Sequence, residues 1–251
     1  MPQQRQKAAL ITGAGRRIGA AITRALADAG YAVVMHANRS RAEAEKLAGE
    51  IVARGGRAAV VLADLADADA VRGLIKAAAA FGPLNLLVNN AGAFEPDEIV
   101  TLERKRFEQV FAVNLAAPLF LSQAFAAQAS QGAAIVNIID QRVFKPTPRF
   151  LSYTLSKSAL HTATMTLAQA LAPKVRVNAV APGPTLPSPR QTDAQFAVQA
   201  ASLPLQKGPS PEDIAATVLY LAQAQSVTGV TIAVDGGQHV AWRTPDSDVA
   251  E

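Results

Sequence analysis

Ala8-Ala9-Leu10-Ile11-Thr12-Gly13-Ala14-Gly15-Arg16-Arg17-Ile18-Gly19 is a short apolar run, a glycine-rich turn and the opening of a helical pattern. The run is apolar on both faces, as a strand covered by helices on each side must be. Glycines let the chain turn tightly behind such a strand and come close to a bound group. The helix that follows, 17–29, presents free N–H groups and the positive end of its dipole at the turn. A strand, turn and helix in this order predict a first βα unit with a place for a pyrophosphate.

The same alternation continues outward. Strands are predicted over Ala8–Thr12, 31–36, 58–63, 84–90, 133–139, 175–181 and 230–234. Helical patterns fall at 17–29, 41–54, 67–81, 102–128, 152–171 and 211–224. The last has clear start chemistry, with Ser210 as N-cap, Pro211 in the first turn, then Glu212 and Asp213. Alternation of this kind predicts an α/β protein with an open, doubly wound parallel sheet and helices on both faces. No tandem repeat or Gly/Ser linker interrupts it, so residues 1–251 read as a single domain. Residues 182–209 form one long irregular segment rich in Pro and polar residues. Its place after the C-terminal end of a strand predicts a substrate-binding loop; the alternative is a plain connector.

Composition agrees with one well-cored domain, since half of the 251 residues are hydrophobic. A formal charge of +4 and a pI near 9.6 are compatible with an anionic ligand. Basic residues are scattered and aromatics few, so no nucleic-acid partner is expected. With no cysteine, disulfides, thiolate catalysis and cysteine zinc sites are excluded. His36, His161 and His239 are too far apart to read as a metal motif, and no metal is expected. The polar N-terminus lacks the apolar region of a signal peptide. No uncharged run is expected to reach the length of a membrane span, which leaves a cytoplasmic protein as the expectation.

The end of the second strand bears on which nucleotide the turn takes. NAD sites place an acidic residue about 20 positions after the glycines, for the ribose hydroxyls. Here the segment is His36-Ala37-Asn38-Arg39-Ser40, without a carboxylate. Arg17 and Arg39 can hold a 2′-phosphate through charge-assisted bonds, with Ser40 adding another, which favours NADPH. The alternative is a pair of solvated surface arginines. Asp64, followed by Leu65, closes the third strand and can accept from an adenine amino group or cap its own loop. Asn89-Asn90-Ala91-Gly92 ends the apolar fourth strand; its small residues permit close approach of a ligand, and its asparagines can satisfy strand-end backbone.

Tyr153 and Lys157 lie one helical turn apart and share a face. An unperturbed phenol titrates near 10, and a close ammonium is expected to lower it. The pair can supply a proton as hydride arrives, and Lys157 can also reach ribose hydroxyls.

With the glycine-rich turn, Asp64, Asn89–Gly92, Asn114, Tyr153, Lys157, Pro182-Gly183 and Asp235-Gly236-Gly237, the whole chain resembles the short-chain dehydrogenases/reductases. The resemblance implies a seven-stranded Rossmann sheet and a homotetramer. It further implies that Asn114 supports a proton relay through Lys157 and that Pro182-Gly183 lies beside the nicotinamide. Three departures point to a branch. Arg17 replaces the middle glycine of the turn, His36-x-x-Arg39-Ser40 follows strand two, and Asp140 stands where most of the family carries Ser. Together these resemble the pteridine reductases and the related bacterial dihydromonapterin reductases. Phe94 falls where pteridine reductases place an aromatic that sandwiches the pterin against nicotinamide; the alternative is an ordinary core residue.

The substitution at Asp140 has a physical logic. Ketone reduction builds negative charge on oxygen, which wants a donor, whereas an ionised carboxylate only accepts. A pterin ring offers N–H groups, and a ring nitrogen that gains a proton as hydride adds to carbon. A carboxylate suits such a ring and favours a protonated Tyr153; capping a neighbouring loop is the alternative role. The expected activity is therefore NADPH-dependent reduction of a dihydropterin. Catalytic roles are expected for Asp140, Tyr153, Lys157 and Asn114, and substrate contacts for Arg17, Phe94, Asp140 and Tyr153. A carbonyl reductase acting on 3-oxoacyl thioesters and a non-catalytic NADP(H) sensor are the competing readings. The tail, 238–251, carries the only Trp, Trp242, and is expected to pack at a subunit interface or to be inert.

Overall fold

Seven strands run in parallel in the order β3-β2-β1-β4-β5-β6-β7. They are β1 (Ala8–Thr12), β2 (Ala32–Ala37), β3 (Ala58–Leu62), β4 (Leu84–Asn89), β5 (Ala133–Ile138), β6 (Val175–Pro182) and β7 (Thr231–Val234). The computed structural model describes residues 7–243; residues 1–6 and the acidic end of the tail, 244–251, lie outside the described residues. Helices α1 (Arg17–Asp28), α2 (Arg41–Ala53), α3 (Ala68–Ala79), α4 (Arg104–Phe111), α5 (Ala117–Gln128), α6 (Leu151–Leu171), α7 (Asp193–Ala201) and α8 (Pro211–Gln223) connect them.

Strand alternation sorts the core into two layers. Ala9 and Ile11 of β1 pack with Ile22, Leu26, Leu47 and Val218, from α1, α2 and α8. Ala8 and Leu10 face the other way, onto Leu74, Leu121 and Phe125 of α3 and α5. Each fully buried Leu or Ile contributes about 1.5–3 kcal/mol, so the central strands are the best-anchored part of the molecule. Register then sets the site. Thr12 pairs with His36, which brings the glycine-rich turn level with the end of β2. The chain winds outward in opposite directions from β1 and β4, and the crevice at that reversal is where open α/β sheets hold ligands.

Three expectations about elements need correction. Residues 109–139 contain no Asp, Glu, Lys or Arg. The helical stretch Arg104–Gln128 is long and apolar enough to cross a membrane by length and composition, so a run of that length does exist. Here its Ala117, Leu121 and Phe125 are buried against the sheet as core. That stretch is also not one regular helix, because a π-helical turn, Ala112–Ala116, separates α4 from α5. Finally, the 182–209 segment is not wholly irregular. It contains α7, opened by a capping box in which Thr192 Oγ1 accepts from Gln195 N (3.2 Å) and Gln195 Oε1 accepts from Thr192 N (2.9 Å). Ser210 caps α8 as expected, its Oγ accepting from Asp213 N at 3.1 Å, and Asp213 Oδ2 completes a capping box by accepting from Ser210 N (2.8 Å).

Candidate active site

The turn after β1 is shaped from both sides. A Cβ on Gly13 would sit 3.0 Å from Ala91 Cα, and one on Gly19 only 2.1 Å from Gly13 O, so both positions need glycine. Asn90 Nδ2 donates to Thr12 O (2.8 Å) and Gly13 O (3.1 Å), while Thr12 Oγ1 accepts from Asn90 N and Ala91 N. His36 Nδ1 accepts from Gly13 N (3.2 Å) and its Nε2 donates to Ala63 O (3.1 Å). Burial lowers the His36 pKa, which keeps that donor–acceptor pair neutral. Both His36 ring nitrogens are thus engaged in holding the turn.

The resulting cleft of about 510 Å³ is lined by the turn, the 36–40 segment, Asp64 with Leu65, and Asn90 to Ala93. The helix behind the turn has Arg16 as N-cap and no side-chain cap bond, so its first-turn N–H groups remain for an anion. Arg39 is exposed and holds no ion pair among the described residues; Arg16 is 3.8 Å from Glu43. Ser40 makes no cap bond to α2, and Asn38 is exposed beside it. Asp64 Oδ1 accepts from Ala66 N (3.0 Å), so the loop-capping role is realised. Two glycine contacts, an uncapped helix and arginines at the far end suit a phosphorylated dinucleotide.

A second cleft, about 550 Å³, shares Arg17, Ile18, Asn90 and Gly92 with the first. It opens where β5 ends and α6 begins. Tyr153 Oη donates to Asp140 Oδ2 at 2.9 Å, and Lys157 Nζ donates to Ile138 O at 2.7 Å. Asp140 Oδ1 accepts from Arg142 N (2.9 Å), so the carboxylate caps its local turn and meets the phenol at once. The Arg142 guanidinium lies 3.7 Å from Asp140 Oδ2. Burial pushes the Asp140 pKa up against the opposing pull of Arg142 and Lys157. Burial, then the Asp140 charge, pushes the Tyr153 pKa well above its ordinary value. This corrects the expectation of a lowered phenol: burial and the Asp140 carboxylate outweigh the opposing pull of the Arg142 guanidinium. Burial in turn lowers Lys157 to about 8.

Asn114 sits in the π-helical turn, fully buried. Its Oδ1 accepts from Ala93 N (2.8 Å), and its Nδ2 donates to Ala93 O and to Ser156 Oγ (3.0 Å each). Among the described residues it therefore joins the 91–94 segment to α6 rather than bonding Lys157. Extra residues in one helical turn often mark such sites. Pro182 ends β6, and a Cβ on the following Gly183 would lie 2.6 Å from Asp235 Cα, which ties that corner to the Asp235-Gly236-Gly237 turn.

Phe94 lines the second cleft and is not core. It stacks on Phe150, with centroids 4.3 Å apart and planes 5° from parallel, and meets Tyr153 edge-on at 4.7 Å. Two guanidinium groups flank the pair, Arg142 at 5.3 Å and Arg190 at 5.4 Å from the Phe94 ring. Arg190 Nη2 also donates to Phe94 O (2.9 Å). Arg17, in a left-handed conformation (φ 52°), donates to Pro187 O (2.9 Å) and Leu186 O (3.2 Å). The 182–209 segment is thereby held over the cleft from two sides. Sequence reading missed Phe150, Arg142 and Arg190. Arg142 was findable only as a cation two residues after Asp140; nothing local pairs Phe150 with Phe94. At the tail, Gln238 lines the cleft, Lys145 Nζ donates to Ala241 O (2.7 Å), and Trp242 is 73% exposed.

A seven-stranded doubly wound sheet with this Tyr153/Lys157 site defines the class, and the chain belongs to the short-chain dehydrogenase family, whose model matches residues 7–196. It is an oxidoreductase of that family. Among solved structures it is similar to the FolM alternative dihydrofolate reductase 1 of Brucella suis in complex with NADP. The two share 50% identity over 96% of this chain and 98% of that one, with a TM-score of 0.93. An uncharacterized oxidoreductase of Methylorubrum extorquens is 38% identical over 92% of this chain and 97% of its own length. The 3-oxoacyl-[acyl-carrier-protein] reductase of Staphylococcus aureus is 34% identical over 93% and 98%.

Proposed function

We propose that the protein is an NADPH-dependent reductase that converts a dihydropterin-type substrate to the tetrahydropterin. The observation that carries this reading is the Asp140 carboxylate, 2.9 Å from the Tyr153 hydroxyl and facing the second cleft. Its likeness to an alternative dihydrofolate reductase solved with NADP, at 50% identity, supports the same direction.

The cofactor supplies hydride to the carbon of a C=N bond; the chain's residues handle binding and the proton. The glycine-rich turn and the N-terminus of α1 bind pyrophosphate, and Arg39 with Ser40 binds the 2′-phosphate. Phe94 offers a ring face to the pterin, and Arg17 holds the covering loop in place. Asp140 accepts from ring N–H groups. Its raised pKa also lets it carry a proton to the ring nitrogen, in concert with the Tyr153 hydroxyl bonded to it. Lys157, anchored on Ile138 O, provides positive charge beneath Tyr153. A cytoplasmic homotetramer belongs to the same proposal. The exposed Phe120, Leu155 and Met165 lie on α5 and α6, which cover one face of the sheet and offer apolar surface for subunit contact.

The second reading, a 3-oxoacyl thioester reductase, is favoured by the 34% identity to the Staphylococcus aureus enzyme. An NADP(H)-binding sensor without turnover is disfavoured by the intact Tyr153, Lys157 and Asp140 constellation. The deciding experiment measures NADPH oxidation with dihydropterins, dihydrofolate, quinonoid pterins and 3-oxoacyl esters. Turnover with the esters alone overturns the pterin reading, and turnover with any substrate excludes the sensor.

A further inference from the structure

Asp97 is a buried carboxylate, 4% exposed, that none of the chemistry above uses. It stands three residues beyond Phe94 and reaches the first turn of α6. That turn has no cap of its own: its N-cap position is Phe150, in a left-handed conformation (φ 57°), with no side-chain cap bond. Asp97 supplies what is missing. Its backbone oxygen accepts from Leu151 N (3.2 Å), its Oδ1 from Ser152 N (3.1 Å), and its Oδ2 from the Ser152 hydroxyl. An acceptor bearing negative charge suits a helix N-terminus both by hydrogen bonding and by the helix dipole.

The second tie lies one turn further on. Ser156 Oγ accepts from Asn114 Nδ2 and donates to Tyr153 O (2.7 Å), while Asn114 grips Ala93 by both its N–H and its carbonyl. Ser152 and Ser156, both fully buried, thus bracket Tyr153 on α6, just as Ala93 and Asp97 bracket Phe94 on its loop. Two clamps lock the aromatic platform and the phenol into one unit.

We infer that Asp97 is a positioning residue: as a cap supplied from outside the helix, it fixes α6 so that Tyr153 meets both Asp140 and the edge of Phe94. The inference rests on the reading of Tyr153 as the proton-handling phenol. Angular looseness at such a site is costly, since a misplacement near 1 Å can lower turnover by about 100-fold.

The test compares Asp97→Ala and Asp97→Asn with the parent protein, using turnover with NADPH and a dihydropterin, NADPH binding, and ultraviolet titration of tyrosinate. The Tyr153 signal is assigned by difference against Tyr153→Phe. For Asp97→Ala the expected result is a kcat lower by about 10- to 100-fold with NADPH affinity unchanged. The Tyr153 titration, held high in the parent by enclosure and Asp140, moves down toward an ordinary phenol. Asp97→Asn restores most of both, because an amide can accept from Ser152 N and donate to Ser152 Oγ. Parent turnover and titration in Asp97→Ala overturn the inference, as does a turnover loss that merely tracks lost NADPH binding. Where Asp97→Ala does not fold, Ser152→Ala carries the test: a several-fold fall in kcat supports the clamp, and parent kcat and titration overturn it. Undiminished turnover in Tyr153→Phe overturns the role of Tyr153 instead, and the titration, which needs no substrate, still decides Asp97.

Discussion

At Asp140, one carboxylate oxygen accepts the Arg142 N–H and the other accepts the Tyr153 hydroxyl, so the residue is a turn cap and a site group together. Asp140→Ser replaces an acceptor with a donor. It is expected to lower kcat/KM for dihydropterins by about 100-fold or more while keeping or raising ketone reduction, as measured by parallel NADPH-oxidation assays. The pH dependence follows from Lys157, lowered by burial to about 8. As pH rises through that value the ammonium loses its proton, so kcat/KM of the free enzyme falls on the alkaline side. Asp140 raises the Lys157 value, so Asp140→Asn moves this alkaline limb to lower pH. Rate profiles that leave the alkaline limb in place would exclude this coupling. At the cofactor end, Arg39→Ala is expected to raise KM for NADPH by about 10-fold and leave KM for NADH little changed, since only the 2′-phosphate distinguishes the two.

Among the elements, α1 and its turn show how local rules and tertiary contacts part company. The glycines, the uncapped helix start and the missing acidic residue after β2 are all local, and reading them forecasts a phosphate-binding unit. Arg17 takes a left-handed conformation that costs a non-glycine residue about 1 kcal/mol, yet its guanidinium holds two carbonyls of the distant loop. Arg17→Gly therefore relieves strain while freeing the loop. Stability by denaturant titration is expected to stay within about 1 kcal/mol of the parent, whereas limited proteolysis at 184–191 accelerates. The π-helical turn was invisible beforehand because 102–128 is apolar enough to suit an ordinary helix; the polar Asn114 inside it was the only hint. Asn114→Ala is expected to cost about 1–3 kcal/mol, read from the denaturation midpoint, since it strands buried groups on Ala93 and Ser156. The α7 helix was readable after all, from the Thr192-x-x-Gln195 box that the proline-rich context obscured.

For the whole molecule, Phe120, Leu155 and Met165 are exposed on α5 and α6, where the proposed homotetramer would cover them. Light scattering is expected to give a mass about four times the 26.2 kDa chain, and Phe120→Glu a smaller species. Sequence alone determined the alternation of strands and helices, the glycine-rich turn, and the types of group at the candidate site. Those depend on period, on backbone freedom at single positions and on side-chain chemistry, all of which are local. Tertiary structure alone decided which groups meet: Arg17 reaches a carbonyl 170 residues away, and Asp97 caps a helix 55 residues on. It alone also set the direction in which Tyr153 and Lys157 titrate, because burial, which no neighbour in the chain reveals, outweighs the opposing pull of Arg142 on the phenol and of Asp140 on the ammonium.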